Sequence, residues 1–292
     1  MTADGPPPDA ELRPRTPTRR PKTARGRVEP TYDPPSAEER RAMERHLASL
    51  PLHSGARVTG DAELEMLLVR GEMSVPGLDY GAAVRWPEVS EARVALFEAR
   101  VRADGSWPSL LVADDIAPRG LTELLASLGW SESGRETVLW TRRPVVVPHL
   151  DPMLRLEAVT TRSAAEHESL ERRIFGLPAS TAAGRTAGLV ASLAAGTLRA
   201  YLVRSRGEPV AVCRLSLLEG LAGLYGIGVV VDRRREGLGG FITAVAMRAG
   251  LASGRPLAWL SVEDGNDAAL GLYEALGFQP AFRWGRWLAS PR

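Results

Sequence analysis

The sequence predicts a mixed α/β fold, a mostly antiparallel central sheet flanked by helices, present twice along the chain. Three observations predict it. Three strand-like stretches follow one another in the second half (198–204, 208–217 and 222–231), joined by tight turns. That is an antiparallel meander set in an α/β plan. The strand at 222–231 then opens through a glycine-rich turn straight into an amphipathic helix at 238–252. Finally, Leu125-Ala-Ser-Leu128-Gly129-Trp130 is echoed 148 residues later by Tyr273-Glu-Ala-Leu276-Gly277-Phe278, each between a helix and a strand rich in Trp and Arg. A left-handed glycine with an aromatic packing back is also ordinary helix-end chemistry, so chance likeness stands beside duplication.

Taken in order, residues 1–35 are rich in Pro and Arg and poor in apolar side chains. They bury too little to offset ordering entropy, and disorder is expected. Seven basic and no acidic residues lie between Arg13 and Arg27. Charge alone would let that stretch meet nucleic acid or an acidic partner, and a solvated tail is the plainer reading. Order is expected from Ser36, where Ser36-Ala37-Glu38-Glu39 has the form of a capping box. An N-terminal domain over 36–147 is expected to carry helices near 36–49, 61–70, 89–103 and 119–128, and strands near 107–113 and 135–147. Prolines at 144 and 148 mark 144–151 as a linker. The C-terminal domain, 152–292, is expected to run as strand 155–160, helices 163–175 and 178–195, the three-strand meander, helix 238–252, strand 257–262, helix 266–276 and strand 279–288.

Composition sets bounds on function. Over 292 residues, 44% are hydrophobic and 25% charged, as in soluble globular proteins. No apolar run approaches the ~18–20 residues that span a bilayer. The Pro-rich start lacks the apolar core of a secretory signal. With a single cysteine, Cys213, no intramolecular disulfide framework is possible, which fits a reducing, cytoplasmic setting. The net charge of +2 does not point to nucleic acid. His46, His53, His149 and His167 show no ligand spacing, so no metal is expected. A membrane role is not indicated, and the chain is expected to be a monomer or homodimer.

The chemistry concentrates between residues 225 and 278. Arg234-x-x-Gly237-x-Gly239 follows the strand ending at Val231 and leads into a helix. Glycines let successive backbone N–H groups point into one concavity, and the helix N-terminus adds positive potential, so the turn suits a pyrophosphate. Arg233, Arg234 and Arg235 could neutralise further phosphate charge. A plain Gly-rich turn with exposed arginines is the alternative. A second segment, Asn266-x-x-Ala269-x-x-x-Tyr273-x-x-x-Gly277-Phe278, lies one strand and one helix further on. Together, in this order, the two segments resemble the GCN5-related N-acetyltransferase superfamily, over about 155–288 well and over 51–147 only faintly. Val231 stands where many members have proline. Nothing like Arg-x-x-Gly-x-Gly occurs near 86–92, so the first half resembles the degenerate half of tandem acetyltransferases.

The resemblance implies the acyl-CoA N-acyltransferase fold and transfer of acetyl from acetyl-CoA to a primary amine of a small molecule or peptide. It implies no metal and no covalent enzyme intermediate. Ile227, Gly228, Val229 and Val231 would line the pantetheine arm. Arg234, Arg235, Gly237, Leu238, Gly239 and Gly240 would hold the pyrophosphate. Asn266 would bond the pantetheine amides or simply cap its helix, and Tyr273 would protonate the departing thiolate or simply pack. A lysine-like amine needs about 4.6 kcal/mol to become neutral at pH 7. Glu219 and Glu263 are the nearest carboxylates to serve as base, beside a water relay. Cys213 reads as a core residue, and Trp284 and Trp287 as packing residues. A non-catalytic acyl-CoA-binding module is the competing reading.

Overall fold

Ser36 caps the first helix as its sequence requires: its hydroxyl accepts from the Glu39 N–H (3.2 Å) while Glu39 accepts from the Ser36 N–H (2.9 Å). The computed structural model describes residues 32–71, 79–149 and 151–290, so the expected tail falls almost wholly outside them. Asp33–Arg292 forms one compact unit.

The N-terminal half comprises α1 (Ala37–Ser49), a short 3-10 helix (Leu50–Ser54), β1 (Arg57–Asp61), β2 (Met66–Arg70), β3 (Tyr80–Ala82), α2 (Glu91–Ala103), β4 (Ser109–Ala113), α3 (Leu121–Ser127) and β5 (Ser131–Thr141). The C-terminal half adds β6 (Leu154–Ala158), α4 (Ala164–Phe175), α5 (Ala182–Ala194), β7 (Leu198–Ser205), β8 (Glu208–Ser216), β9 (Ala222–Val229), α6 (Leu238–Ala252), β10 (Ala258–Glu263), α7 (Asp267–Ala275) and β11 (Gln279–Leu288). One expectation fails outright: residues 61–70 form a hairpin, not a helix. Asp61 Oδ1 accepts from the N–H groups of Glu63 and Leu64, a local turn that competes with helix. Beyond it, Met66–Arg70 is held by pairing with both β1 and β3.

All eleven strands form one sheet, ordered β1-β2-β3-β4-β11-β5-β10-β9-β8-β7-β6. The last strand of each half sits inside the other half. β11 lies between β4 and β5, and β5 lies between β11 and β10, all antiparallel. On either side the same local unit recurs: β3 runs parallel to β4, and β9 runs parallel to β10. Trp284 is the Cα partner of Glu136, 148 residues earlier, and Arg283 and Gly285 pair with Thr137 and Arg135. The offset of the Leu-Gly-aromatic echo is therefore also the spacing about which the two strands cross, and it relates the halves by a local twofold.

Helices α2, α3, α6 and α7 cover one face of the sheet, packing on Leu110, Val112, Leu139 and Leu260. The opposite face, here called the front, carries α1 over Val138, Trp140, Trp259 and Trp284, and α4 and α5 over Leu202 and Val212. The 3-10 helix lies directly on α5. A Cβ at Gly188 would strike the Gly55 backbone, so only glycine permits that approach. Val145 and Val147 of the expected linker pack on the C-terminal core.

Candidate active site

The centre of the C-terminal half is a break in the sheet. β9 pairs with β10 only at Ala222–Ala258 and Gly223–Trp259. Past those pairs β10 continues to Glu263 against β5, while β9 continues to Val229 against β8, and the two part. The cause lies in β9 itself. Arg214 pairs with Tyr225 and Val212 with Gly228, so Gly226 and Ile227 together oppose Cys213. This bulge turns the strand through Gly226, at φ 58°. A Cβ at Gly226 would collide with Glu171 Oε1, and one at Gly228 would lie 2.7 Å from Ile174 Cγ2. The C-terminal end of α4 thus roofs the bulge on the front face.

At the open end of the cleft, the chain runs from Val229 through a 3-10 turn (Val231–Arg233) into α6. Arg235 and Gly237 both take left-handed conformations, at φ 66° and 79°. Gly237 is the N-cap and offers no side chain to the helix, so the first N–H groups of α6, from Leu238, Gly239 and Gly240, keep their donors for an anion. Arg234 Nε donates to the Val229 carbonyl (3.3 Å) and ties the turn to the strand. Arg233 is occupied with Glu236 (2.8 Å), leaving Arg234 and Arg235 as the exposed cations. The turn fits a pyrophosphate.

The structure brings Ile227, Gly228, Val229, Val231, Arg234, Arg235, Gly237, Leu238, Gly239 and Gly240 to one end of the sheet. Val229 and Leu272 of α7 close on Gly239 from the core side. Asn266 caps α7, accepting from the Ala269 N–H (3.2 Å). Tyr273 lies about two helical turns beyond Asn266, buried edge-on against Phe278 (centroids 6.1 Å apart). Burial pushes its phenol up, so it stays protonated. The two expected carboxylates part company. Glu263 ends β10 beside the cleft and is exposed. Glu219 precedes β9, a strand length of about 25 Å from the turn, where it pairs with Arg45 of α1 (2.8 Å). Cys213 is fully buried and its thiol is pushed up by burial. Trp284 packs in the front core and Trp287 against the N-terminal helices.

Two polar networks under the front face were not read from the sequence. Arg214 is fully buried and binds Glu168 (2.7 Å) and Glu171 of α4, and Arg185 of α5 binds the same two carboxylates. Tyr225 lies beneath the Arg214 guanidinium, 5.9 Å away. An arginine inside an otherwise apolar strand, with two glutamates three apart on a helix, was the available signal. The second network joins the halves. Trp259 Nε1–H donates to His46 Nδ1 (3.2 Å), so His46 Nε2–H donates to Ser216 (2.7 Å). Ser216 also hydrogen-bonds His53 Nε2 (2.8 Å), and His53 Nδ1 hydrogen-bonds Ser192 (2.8 Å). Among the described residues, no group of three or more His, Cys, Asp or Glu could hold a metal, and no helix is long and apolar enough to cross a membrane.

Comparison with known proteins agrees with this geometry. Residues 166–278 match the model of the acetyltransferase (GNAT) family. No curated protein matches the chain by sequence. Among solved structures, a GCN5-related N-acetyltransferase from Kribbella flavida is similar at TM-score 0.66 and 21% identity, over 87% of this chain and 95% of that one. A second, from Sphaerobacter thermophilus, gives 0.58 and 16%, over 88% and 95%. A tandem GNAT protein from the clavulanic acid biosynthesis pathway gives 0.59 and 17%, over 78% and 79%. At these identities the likeness shows a shared fold.

Proposed function

We propose, from the match of residues 166–278 to the acetyltransferase (GNAT) family, that the chain moves an acetyl group from acetyl-CoA to a primary amine of a small molecule or peptide by direct attack. Family and fold support acyl transfer in general. The finer reading rests on one observation: the bulge at Gly226 parts β9 from β10 at the same end of the sheet where an uncapped helix N-terminus and two exposed arginines form an anion cup.

Arg234, Arg235 and the first N–H groups of α6 would hold the pyrophosphate, and the parted edges of β9 and β10 the pantetheine arm. Acetyl-CoA, when bound, supplies the activated carbonyl. Backbone N–H groups of the bulged strand would stabilise negative charge on its oxygen, where one donor is worth about 2.7–4 kcal/mol. The buried, protonated phenol of Tyr273 would give its proton to the departing sulfur. Asn266 would fix the start of α7 and with it the reach of Tyr273.

The first half supports one such site per chain. Between β3 and α2, where the second half has its cup, Trp86 is buried and donates to the Leu64 carbonyl. Glu88 and Glu91 flank the start of α2, a charge that repels phosphate. This half would complete the fold and the acceptor wall. The deciding experiment is calorimetry with CoA and acetyl-CoA, followed by thiol release over a panel of amines. Binding with amine-dependent release supports the proposal. Binding without release favours a non-catalytic acyl-CoA-binding module, and no binding removes both.

A further inference from the structure

From the placement of β5 we infer that Glu136, a residue of the N-terminal half, is the carboxylate that takes the proton from the acceptor amine at the cleft of the C-terminal half. The inference rests on the acetyltransferase reading and names the base that reading needs.

Glu136 stands beside β10, paired through its Cα with Glu263, while Val138 pairs with Ser261. Directly opposed residues of an antiparallel pair share a face. Val138 and Trp140 lie in the front core with Trp259, so Glu136, Ser261 and Glu263 face front as well. That is the face on which Gly226 and Gly228 meet α4. Ser261 lies two residues past Trp259, the last β10 residue paired to β9. Glu136 therefore faces front one strand beyond β10, beside the stretch of β10 that runs on after β9 has parted from it.

Its surroundings suit a base. The carboxylate is half-buried, and burial raises its affinity for a proton, opposed by a hydrogen bond from Ser261 and by the nearby Arg286 charge and reinforced by Glu263 and Asp264. From the remaining packed elements, Trp284 of β11 lies directly across from it, and Tyr80 of β3 faces the same Arg286. The indole N–H of Trp284, the residue paired across from Glu136, is buried without an acceptor among the described residues. Neither of the carboxylates expected from sequence combines these features. Glu219 is at the far end of β9 in an ion pair, and Glu263 is exposed.

The proton balance is simple. The ammonium form of the acceptor gives one proton to Glu136, and the neutral nitrogen forms the new N–C bond as the C–S bond breaks. The proton shed by the acylated nitrogen replaces the one Tyr273 gives to sulfur, and Glu136 returns its own to water. Amide, thiol and one proton leave.

The test uses the full chain. Glu136→Gln is compared with wild type by thiol release with the amine that wild type accepts best, by the pH profile of kcat/KM, by calorimetry with CoA and by melting temperature. We expect kcat/KM to fall about 100-fold or more and the acidic limb of the profile to vanish, with CoA affinity and melting temperature kept. Glu136→Asp should recover part of the rate and the limb. Activity within threefold of wild type, or an unchanged acidic limb, overturns the inference alone. So does a wild-type chain that binds acetyl-CoA yet acylates no amine. Loss of CoA binding by wild type would instead sink the acetyltransferase reading.

Discussion

Acid should weaken this protein through buried histidines that resist taking up a second proton. His46, His53 and His167 are buried to within 1% exposure. Burial holds them down at about 3, about 4 and about 4, with Arg214 adding to the effect on the latter two. In the relay from Trp259 to Ser192 every ring nitrogen of His46 and His53 is already committed, and a proton added to His46 Nδ1 would face the Trp259 N–H. The sign follows from proton counts. Between the unfolded value near 6.5 and the folded values, only the unfolded chain takes up protons, so stability is intact above about pH 6.5 and lost as pH falls. From pH 7.5 to 5.5 each histidine costs about 1.4 kcal/mol, and the three together about 4 kcal/mol. Glu44, Glu136 and Glu168, held above the usual carboxylate range by burial, pull the other way, so the histidine effect is read by difference. Urea unfolding of wild type and His53→Gln at the two pH values should show wild type losing about 1.4 kcal/mol more than the variant. Equal losses in both would refute the reasoning.

Other expectations bear on the cleft. Gly226→Ala places a Cβ against Glu171 Oε1 in a left-handed conformation; it should cost about 1–2 kcal/mol from backbone strain alone, read as a lower urea midpoint, and should weaken acetyl-CoA binding by calorimetry. Arg214→Met leaves Glu168 and Glu171 buried with Arg185 as their remaining guanidinium partner among the described residues. A loss of about 3–5 kcal/mol is expected, with partial recovery when both glutamates become glutamine; an unchanged unfolding midpoint would show that the ion pairs carry little. Tyr273→Phe should lower kcat about 100-fold or more while CoA affinity holds, and an unaltered kcat would return that tyrosine to a packing role.

What was legible from sequence was local. The Ser36 capping box, the strand–glycine–helix run from 222 to 252 and the cap at Asn266 are each decided by residues within a few positions of one another, because backbone propensity and helix-end hydrogen bonding act over one or two turns. The 61–70 segment shows where that fails. Its Ala, Glu and Leu residues favour helix locally, but β2 is held by partners on β1 and β3 that local propensity does not see. The same limit hid the chemistry between halves. The Leu-Gly-aromatic echo suggested duplication, yet only the assembled sheet shows each half surrendering its last strand to the other. Arg214 met Glu168 and Glu171, His46 met Ser216, and Glu136 came beside Glu263 only when strands more than a hundred residues apart paired, or a helix settled on a strand it does not adjoin in the chain. Sequence fixes which groups are available; burial and long-range pairing decide which of them share a face.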